Sequence, residues 1–202
     1  MNKNLSVIAG IGNPGERYER TLHNVGFWFV NEIAAASNLQ FSYDKKFDAE
    51  VCRVNITKND IWLIKPQSHM NRSGGPIRAF LDYYEISTSS MLVVHDEIDL
   101  PSNMVKLKVD GGHGGHNGLR DIIRHCGNDF MRIRLGIGHP GDKNEVINYV
   151  LKNASSDLER AVEKNIQDSR AILPNIIEGN IERAMKILHT PSKDREKKIN
   201  GY

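Results

Sequence analysis

The sequence predicts an α/β protein, because strand-like and helix-like segments alternate along almost its whole length. Short β-branched runs such as Leu5–Ile11 and Met91–Val94 are typical of buried strands. Between them, apolar residues recur at helical spacing, as they do from His23 to Ser37. Such interleaving favours an α/β architecture over one in which helices and strands are segregated. The 202 residues suit one large domain or, less readily, two small ones.

The first half of the chain predicts three strands and two helices. The first strand ends at a Gly-Asn-Pro-Gly turn, and the helix from His23 to Ser37 follows it. The other elements are a strand from Ala49 to Ile56, a turn at Lys58–Asp60, a hairpin strand from Ile61 to Ile64 that Pro66 stops, and a helix bearing Ile77, Phe80, Leu81 and Tyr84 with Ser73 as its N-cap.

The second half predicts three more strands and a helical C-terminal region. A buried strand from Met91 to Val94 ends in His95, Asp96 and Glu97. The elements after it are a strand from Met104 to Val109, a short helix from Leu119 to Cys126, a strand from Met131 to Ile137, and helix from Asp157 to His189 with a break near Pro174 and Gly179. The polar tail from Ser192 to Tyr202 is expected to be frayed.

The composition is that of an ordinary globular protein, with 39% hydrophobic and 26% charged residues. The formal net charge of +2 gives by itself no sign of a nucleic-acid partner. Two cysteines, Cys52 and Cys126, are too few for a disulfide framework, so we expect free thiols in a reducing cytoplasm. No segment has the roughly 18 consecutive apolar residues of a membrane helix, so we expect a soluble, unprocessed protein without a membrane partner.

The Gly-rich segment Gly10–Gly15 matches a dinucleotide-binding pattern, but that match alone is weak. The acidic residue that such a site needs would be Glu32, which falls inside the predicted helix. Pro14 also removes an amide that a phosphate cradle would use. We therefore interpret the segment as a tight turn that presents Asn13 at the carboxyl end of a strand, where ligand-binding crevices form in α/β sheets.

His23 and Asp96 are candidates for a catalytic pair. Because strand ends converge at one edge of an α/β sheet, the two side chains could meet there. The carboxylate would fix the tautomer of the ring, and the other ring nitrogen would accept a proton. No Gly-x-Ser-x-Gly nucleophile motif accompanies them. A general base without a protein nucleophile points to activated water, which suits an ester better than an unactivated amide.

Five glycines in the nine residues from Asp110 to Gly118 predict a loop that moves or that lets a ligand approach closely. His113 and His116 suggest a metal site with His95, Asp96 or Asp99 as a further ligand, but a glycine-rich loop lacks the rigid spacing that such sites use. The functional interpretation is a flexible gate in which Asn117 grips a polar substrate. The structural alternative is that Asn117 simply caps the next helix.

Basic residues concentrate on two predicted strands. Lys106 and Lys108 alternate on one strand, and Arg132 and Arg134 alternate on another. Each pair would present two positive charges on one face. That face is either an ordinary solvated surface or a surface that tracks phosphates beside the gate.

Several short motifs occur in an order that resembles the bacterial-type peptidyl-tRNA hydrolase family. They extend from the first strand to about residue 190, and the ordered set is far more specific than any member. The motifs are Gly12-Asn-Pro-Gly15, Tyr18, Thr21-Leu-His-Asn24, Met70-Asn71-x-Ser-Gly74, His95-Asp-Glu-Ile-Asp-Leu-Pro101, Gly111-Gly-His-Gly-Gly-His-Asn-Gly118 and Arg134-Leu-Gly-Ile-Gly-His-Pro-Gly141.

This resemblance implies one phosphorylase/hydrolase-like α/β domain over residues 1–202, in which helices flank a mixed, twisted central sheet. It implies a monomer without metal or other cofactor that acts in translation and ribosome rescue. The reaction is hydrolysis of the ester between a peptide and the 3′-terminal ribose of tRNA, so the partner is the acceptor stem and CCA end of peptidyl-tRNA.

The resemblance also assigns roles to residues. His23 is the base, Asp96 supports it, and Asn13 discriminates N-blocked substrates from free aminoacyl-tRNA. The substrate-binding set is Asn13, Tyr18, His69, Met70, Asn71 and Asn117; the gate comprises Gly112, His113, Gly114 and His116; the phosphate-binding set is Lys106, Lys108, Arg132 and Arg134. The sequence departs from the family at two positions. His69 stands where the family usually has Phe, and Pro174 interrupts a helix that the family generally keeps.

Two other functions compete with this hypothesis. The first is a non-catalytic RNA-binding or splicing-associated protein on the same fold, against which the presence of His23, Asp96 and the asparagines argues. The second is a metal-dependent amidohydrolase that uses His113 and His116.

Overall fold

A seven-stranded mixed β-sheet forms the centre of the computed structural model, which describes residues 4–190, Arg195 and Lys198. The strand order across the sheet is β2-β3-β4-β1-β5-β7-β6. The central strands β4, β1, β5 and β7 are mutually parallel, whereas β3 and β6 run antiparallel to their neighbours. The strands are β1 (Val7–Gly10), β2 (Ser42–Asp44), β3 (Ala49–Ile56), β4 (Asn59–Pro66), β5 (Met91–Glu97), β6 (Val105–Val109) and β7 (Met131–Gly136).

Helices cover both faces of the sheet, so the central strands are buried from both sides and the α/β prediction is confirmed. Helices α1, α5, α6 and α7 pack on one face, and α2 and α3 pack on the other. The helices are α1 (Val25–Ala36), α2 (Gly74–Tyr83), α3 (Asn117–Cys126), α4 (Val146–Val150), α5 (Ser156–Ala171), α6 (Leu173–Ile177) and α7 (Ile181–Leu188). In the described ranges, no helix is both long and apolar enough to cross a bilayer.

Glycines let α1 lie unusually close to the central strands. A Cβ atom on Gly26 would overlap the main-chain oxygens of Val94 and Ile11, and one on Gly10 would overlap the carbonyl of Gly26. The helix therefore packs backbone against backbone across β1 and β5. This contact places the residues that precede α1 beside the carboxyl ends of both strands.

Two local predictions in the N-terminal half need correction in detail. Ser73 is at the N-cap position of α2, as predicted, but its hydroxyl donates to the carbonyl oxygen of Met70 and does not cap the helix; Asp121 of α3 instead accepts from the amide of Gly74. The hairpin turn lies at Thr57 and Lys58, which both have positive φ, and β4 already begins at Asn59. The helix predicted from His23 begins with a 3₁₀ turn at Leu22–Asn24 and becomes α-helical at Val25.

The C-terminal helical region breaks where the sequence predicts a break. Ile172 separates α5 from α6, Pro174 lies in the first turn of α6, and Gly179 with φ of 79° lies between α6 and α7. The predicted frayed tail lies mostly outside the described residues. Arg195 is one of the two tail residues that are described; its side chain is 1% exposed and its guanidinium binds Asp168.

Candidate active site

The parallel strands bring three polar segments to one edge of the sheet. Asn13 follows the carboxyl end of β1, Asn71 follows that of β4, and Asp96 lies at that of β5. Because these strands are parallel neighbours, their carboxyl ends lie side by side. His23 joins them from the 3₁₀ turn before α1.

His23 and Asp96 meet, as the convergence of the strand ends predicts. The Nδ1 atom of His23 lies 2.9 Å from Oδ1 and 3.0 Å from Oδ2 of Asp96. The side chain of Asp96 is 2% exposed and that of His23 is 13% exposed. Since a carboxylate accepts, Nδ1 of His23 donates, and Nε2 on the other side of the ring can accept a proton.

His116 is a second hydrogen-bond partner of Asp96, whereas the sequence groups the two residues only as candidate metal ligands. Its Nε2 lies 2.9 Å from Oδ1 of Asp96, and its Nδ1 accepts from the amides of Gly118 and Leu119 at 3.2 and 3.3 Å. An acceptor at Nδ1 requires the proton to be on Nε2, which therefore donates to Asp96. The same contacts show that His116, rather than Asn117, caps α3.

The buried carboxylate and the imidazoles stabilise each other's charge. Burial alone would lower the pKa of His23, but the charge of Asp96 and its hydrogen bond raise that pKa above the ordinary 6.5. Burial alone would raise the pKa of Asp96, but the charges of His23 and His116 and their hydrogen bonds hold it well below its usual value. Asp96 is therefore ionised near neutral pH.

Asn13 is held by an asparagine pair that sequence reasoning missed. The side chain of Asn24 accepts from the amide of Asn13 at 2.8 Å and donates to its carbonyl oxygen at 2.9 Å. The Oδ1 atom of Asn13 accepts from the amide of Met70, so its Nδ2 is left to donate elsewhere. The signal that could have revealed Asn24 is a polar residue at a position that the helix buries; it is 2% exposed.

A cavity of about 540 Å³ opens beside the pair and has a polar and an apolar side. Its polar lining comprises Asn13, His23, His69, Asn71, Asp96, Glu97, Gly114, Gly115, His116, Asn117 and Lys143. Its apolar lining comprises Met70, Ile98, Val146, Ile147, Val150 and Leu151. The α4 residues of this wall were not assigned from the sequence, although apolar residues spaced one and four apart could have predicted a short helix.

His69 lines this cavity, whereas Tyr18 lies outside its lining and packs edge-on against His69. Their ring centroids are 6.5 Å apart with the planes at 86°, and the guanidinium of Arg17 lies 4.6 Å from the Tyr18 ring centre. Asn117 accepts from Arg120 with Oδ1, which leaves its Nδ2 to donate.

The glycine loop is anchored at both of its ends. Arg132 donates to the carbonyl oxygens of Gly112 and Gly111, both at 2.7 Å, and His116 ties the other end to α3. Gly114 and Gly115, which line the cavity, lie between these anchors. The loop therefore has fixed ends and a glycine centre.

The expectation that Arg132 presents its charge on an open strand face is wrong. Its side chain turns under the loop and the residue is only 2% exposed. Arg134 is partly buried and donates to Glu97 at 2.9 Å. Lys106 is half-buried and Lys108 is exposed, and they pair across the strands with Arg134 and Arg132. All four residues share one face of the sheet, but the lysines carry its accessible charge.

His23, Asp96 and His116 form the one group of potential metal ligands among the described residues, with their ligand atoms within 4.8 Å of one another. The hydrogen bonds place a proton on each histidine nitrogen that faces Asp96. A metal ion bound to these two nitrogens would displace both of their protons. His116 would then need a proton on Nδ1 and could no longer accept from the amides of Gly118 and Leu119. His113 does not belong to the group, and its Nδ1 accepts from the amide of Gly115 within the loop.

Comparison with known proteins identifies close relatives over almost the whole chain. Residues 7–198 match the family model described as peptidyl-tRNA hydrolase. A curated peptidyl-tRNA hydrolase from Neisseria meningitidis serogroup A is 44% identical over 191 residues, which span 94% of this chain and 100% of the relative. A crystal structure of peptidyl-tRNA hydrolase from Acinetobacter baumannii superposes with a TM-score of 0.91 at 39% identity, and the match covers 95% of this chain and 97% of that one.

Proposed function

Because the chain belongs to the peptidyl-tRNA hydrolase family, we propose that it hydrolyses peptidyl-tRNA with a water molecule that His23 and Asp96 activate. The observation that carries this mechanism is the His23–Asp96 hydrogen bond beside a cavity lined by three asparagines. The comparisons do not support the alternative of a non-catalytic RNA-binding protein, since the relatives are hydrolases by name.

In the proposed reaction, Nε2 of His23 removes a proton from water as the oxygen attacks the ester carbonyl carbon. The imidazolium that forms is stabilised by the buried carboxylate of Asp96. When the tetrahedral intermediate collapses, the bond from carbon to the ribose oxygen breaks and Nε2 returns the proton to that oxygen. The products are a tRNA with a free 3′-terminal ribose and a peptide carboxylic acid, which releases the second proton of the water to solvent and becomes a carboxylate.

The asparagines explain how one site can accept many peptides. The Nδ2 groups of Asn13 and Asn117 can donate to carbonyl oxygens of the substrate, and Asn71 lines the same cavity. Amide contacts of this kind bind the peptide backbone whatever its side chains are. A free aminoacyl-tRNA would bring a charged amino group that loses water without gaining an equivalent partner, which disfavours it by a few kcal/mol.

The remaining parts of the substrate are assigned in the same proposal. Lys106 and Lys108 bind phosphates of the acceptor stem, Tyr18 and His69 contact the end of the substrate, and the loop from Gly112 to His116 admits the ester. The protein acts as a cytoplasmic monomer and requires no cofactor.

The decisive experiment measures release of N-acetyl-amino acid from N-acetyl-aminoacyl-tRNA, with unblocked aminoacyl-tRNA as the control substrate. We expect release only from the blocked substrate, at a rate that a strong chelator leaves unchanged. His23→Ala should reduce kcat by about 10²- to 10⁴-fold, the usual contribution of a general base, while tRNA binding persists. His125→Ala, a histidine change outside the cavity, is the matched control. Wild-type cleavage by His23→Ala would refute the mechanism.

A further inference from the structure

His95 is a buried polar residue to which the proposed mechanism gives no part. It precedes Asp96 on β5 and is 1% exposed. Its Nδ1 lies 2.7 Å from the main-chain carbonyl oxygen of Asp96, and its ring centre lies 5.0 Å from that of His116. Its Nε2 is buried and has no hydrogen-bond partner among the described residues.

These contacts fix the state of the ring. A carbonyl oxygen can only accept, so Nδ1 of His95 carries a proton. Burial, together with the charges of His116 and Arg132, outweighs the opposing effect of Asp96 and lowers the pKa of His95 to about 3. The ring is therefore neutral near neutral pH and its Nε2 carries a bare lone pair.

A buried acceptor to which no described residue donates a hydrogen bond costs folding free energy. An apolar side chain would therefore fill this space better if packing were the only requirement. The group that makes a histidine useful here is the Nδ1 donor. Its acceptor is the carbonyl of Asp96 itself, so the bond restricts rotation of the backbone that carries the carboxylate. That carboxylate must reach His23 and His116 at once, each at 2.9 Å.

We propose that His95 is a positioning residue that holds Asp96 and His116 in place. Its Nδ1 donor orients the main chain of Asp96, and its ring supports the ring of His116 at an interplanar angle of 73°. The inference rests on the proposed use of His23 and Asp96. It adds a residue that acts through Asp96 and does not touch the substrate.

The first test is made on the unaltered protein. Nitrogen-15 NMR of histidine-labelled protein should show His95 as the neutral Nδ1–H tautomer throughout pH 5 to 8. An Nε2–H tautomer, or protonation of His95 in this range, would overturn the proposal. This measurement does not depend on activity, so its outcome is separate from that of the His23 experiment.

The second test separates the donor from the volume of the ring. His95→Asn retains an N–H donor near the position of Nδ1, whereas His95→Leu fills similar space without one. We expect the Leu variant to lose roughly 10- to 100-fold in kcat, as is typical when an orienting partner is removed. KM should change by less than about twofold, because ground-state binding is untouched. The Asn variant should retain most of kcat.

A spectroscopic signal and a control complete the design. The downfield proton resonance of the His23 Nδ1–H bond to Asp96 should weaken in the Leu variant and persist in the Asn variant. Val93→Ala changes another buried residue of β5 and should lower the melting temperature without lowering kcat. A Leu variant that keeps kcat, or an Asn variant that loses as much as Leu, would overturn the proposal. If the Leu variant does not fold, the Asn variant and the tautomer decide.

Discussion

Asp96 accepts hydrogen bonds from two histidines, and this shared carboxylate determines which nitrogen of each ring carries a proton. His23 donates with Nδ1 and so offers Nε2 to water, whereas His116 donates with Nε2 and uses Nδ1 to cap α3. The two rings therefore have different tasks although they face the same group. In the proposed mechanism His23 is the base, and His116 joins the carboxylate to the glycine loop.

The raised pKa of His23 predicts that activity falls in mild acid because His23 becomes protonated, while the protein stays folded. The rate should fall as pH decreases through that pKa, above the ordinary 6.5, because only the neutral ring accepts a proton. The free energy of unfolding should change with pH in the opposite direction. Because the pKa of His23 is raised in the folded protein, its ion pair with Asp96 stabilises the fold fully below pH 6.5, and this stabilisation is lost as pH rises through the folded pKa. Profiles of kcat/KM from pH 5 to 9, with circular dichroism at each pH, test this. A flat rate profile would contradict it.

Asp96→Asn should both slow the reaction and move its acid limit. An Asn amide can donate to Nδ1 of His23, which places the remaining ring proton on Nε2 and removes the base. By analogy with triad aspartates, kcat should fall by up to about 10⁴-fold. Without the charge of Asp96, burial should lower the pKa of His23, so the fall of the rate in acid should occur at a lower pH. Asp99→Asn, an exposed carboxylate nearby, should leave both quantities unchanged.

The His23–Asp96 contact could be predicted from the sequence, because strand ends and helix starts can be located there. The roles of His116 and Arg132 could not. Each depends on how a loop returns to the sheet: His116 reaches Asp96 from the end of the glycine loop, and Arg132 turns beneath it. An alternating strand pattern places Arg132 on a face but does not show that a loop covers that face.

At the scale of elements, the close approach of α1 to the sheet places His23 beside Asp96. Burial and length explain which elements the sequence predicts. Strands that are buried on both faces, such as β1 and β5, have continuous apolar runs. The three-residue β2 is too short for a periodic pattern. The five-residue α4, which supplies much of the apolar cavity wall, offers only a single helical repeat of apolar residues.

Gly26→Ala should disrupt this element contact. A Cβ atom there would overlap main-chain oxygens of β5 and of the segment after β1, which cannot move as a flexible side chain can. We expect the free energy of unfolding to fall by about 1–3 kcal/mol, with a loss of kcat because His23 shifts. Gly75→Ala is the matched control, since its Cβ would lie in open space on α2 and gains up to about 1 kcal/mol of helix propensity. Urea denaturation and the hydrolysis assay measure both effects.

At the scale of the molecule, a buried ion pair joins Arg195, near the C-terminus, to Asp168 of α5. Arg195 binds Asp168 at 2.8 Å and also Asn165, the carbonyl of Asn103 and that of Thr190. The polar composition around Arg195 does not show where this arginine finds its partners. Arg195 therefore joins α5 to the loop that leads into β6.

Arg195→Met should cost much more stability than an exposed arginine does. It removes the buried guanidinium partner of the Asp168 carboxylate, which is 2% exposed, and leaves it the more exposed Lys164 at 3.2 Å. Removal of one member of a buried pair typically costs about 3–5 kcal/mol, and we expect a loss towards the lower end of that range because Lys164 remains. Arg160→Met breaks an exposed pair with Asp157 and should cost less than about 1 kcal/mol. Adding Asp168→Leu to Arg195→Met should recover part of the loss. Equal urea midpoints for the two single variants would contradict this account.

The distribution of charge over the molecule, rather than its net value of +2, determines how tRNA should bind. With Arg132 under the loop and Arg134 paired with Glu97, Lys106 and Lys108 are the accessible cations of that strand face. Replacing either lysine with Gln should weaken tRNA binding and reduce the slope of log affinity against log salt by about one. Fluorescence anisotropy from 50 to 200 mM salt, conditions over which phosphate contacts weaken strongly, measures this slope. Lys58→Gln, an equal charge change in the β3–β4 turn at the opposite end of the sheet, should leave the slope unchanged. If the three variants behave alike, net charge and not this strand face guides tRNA.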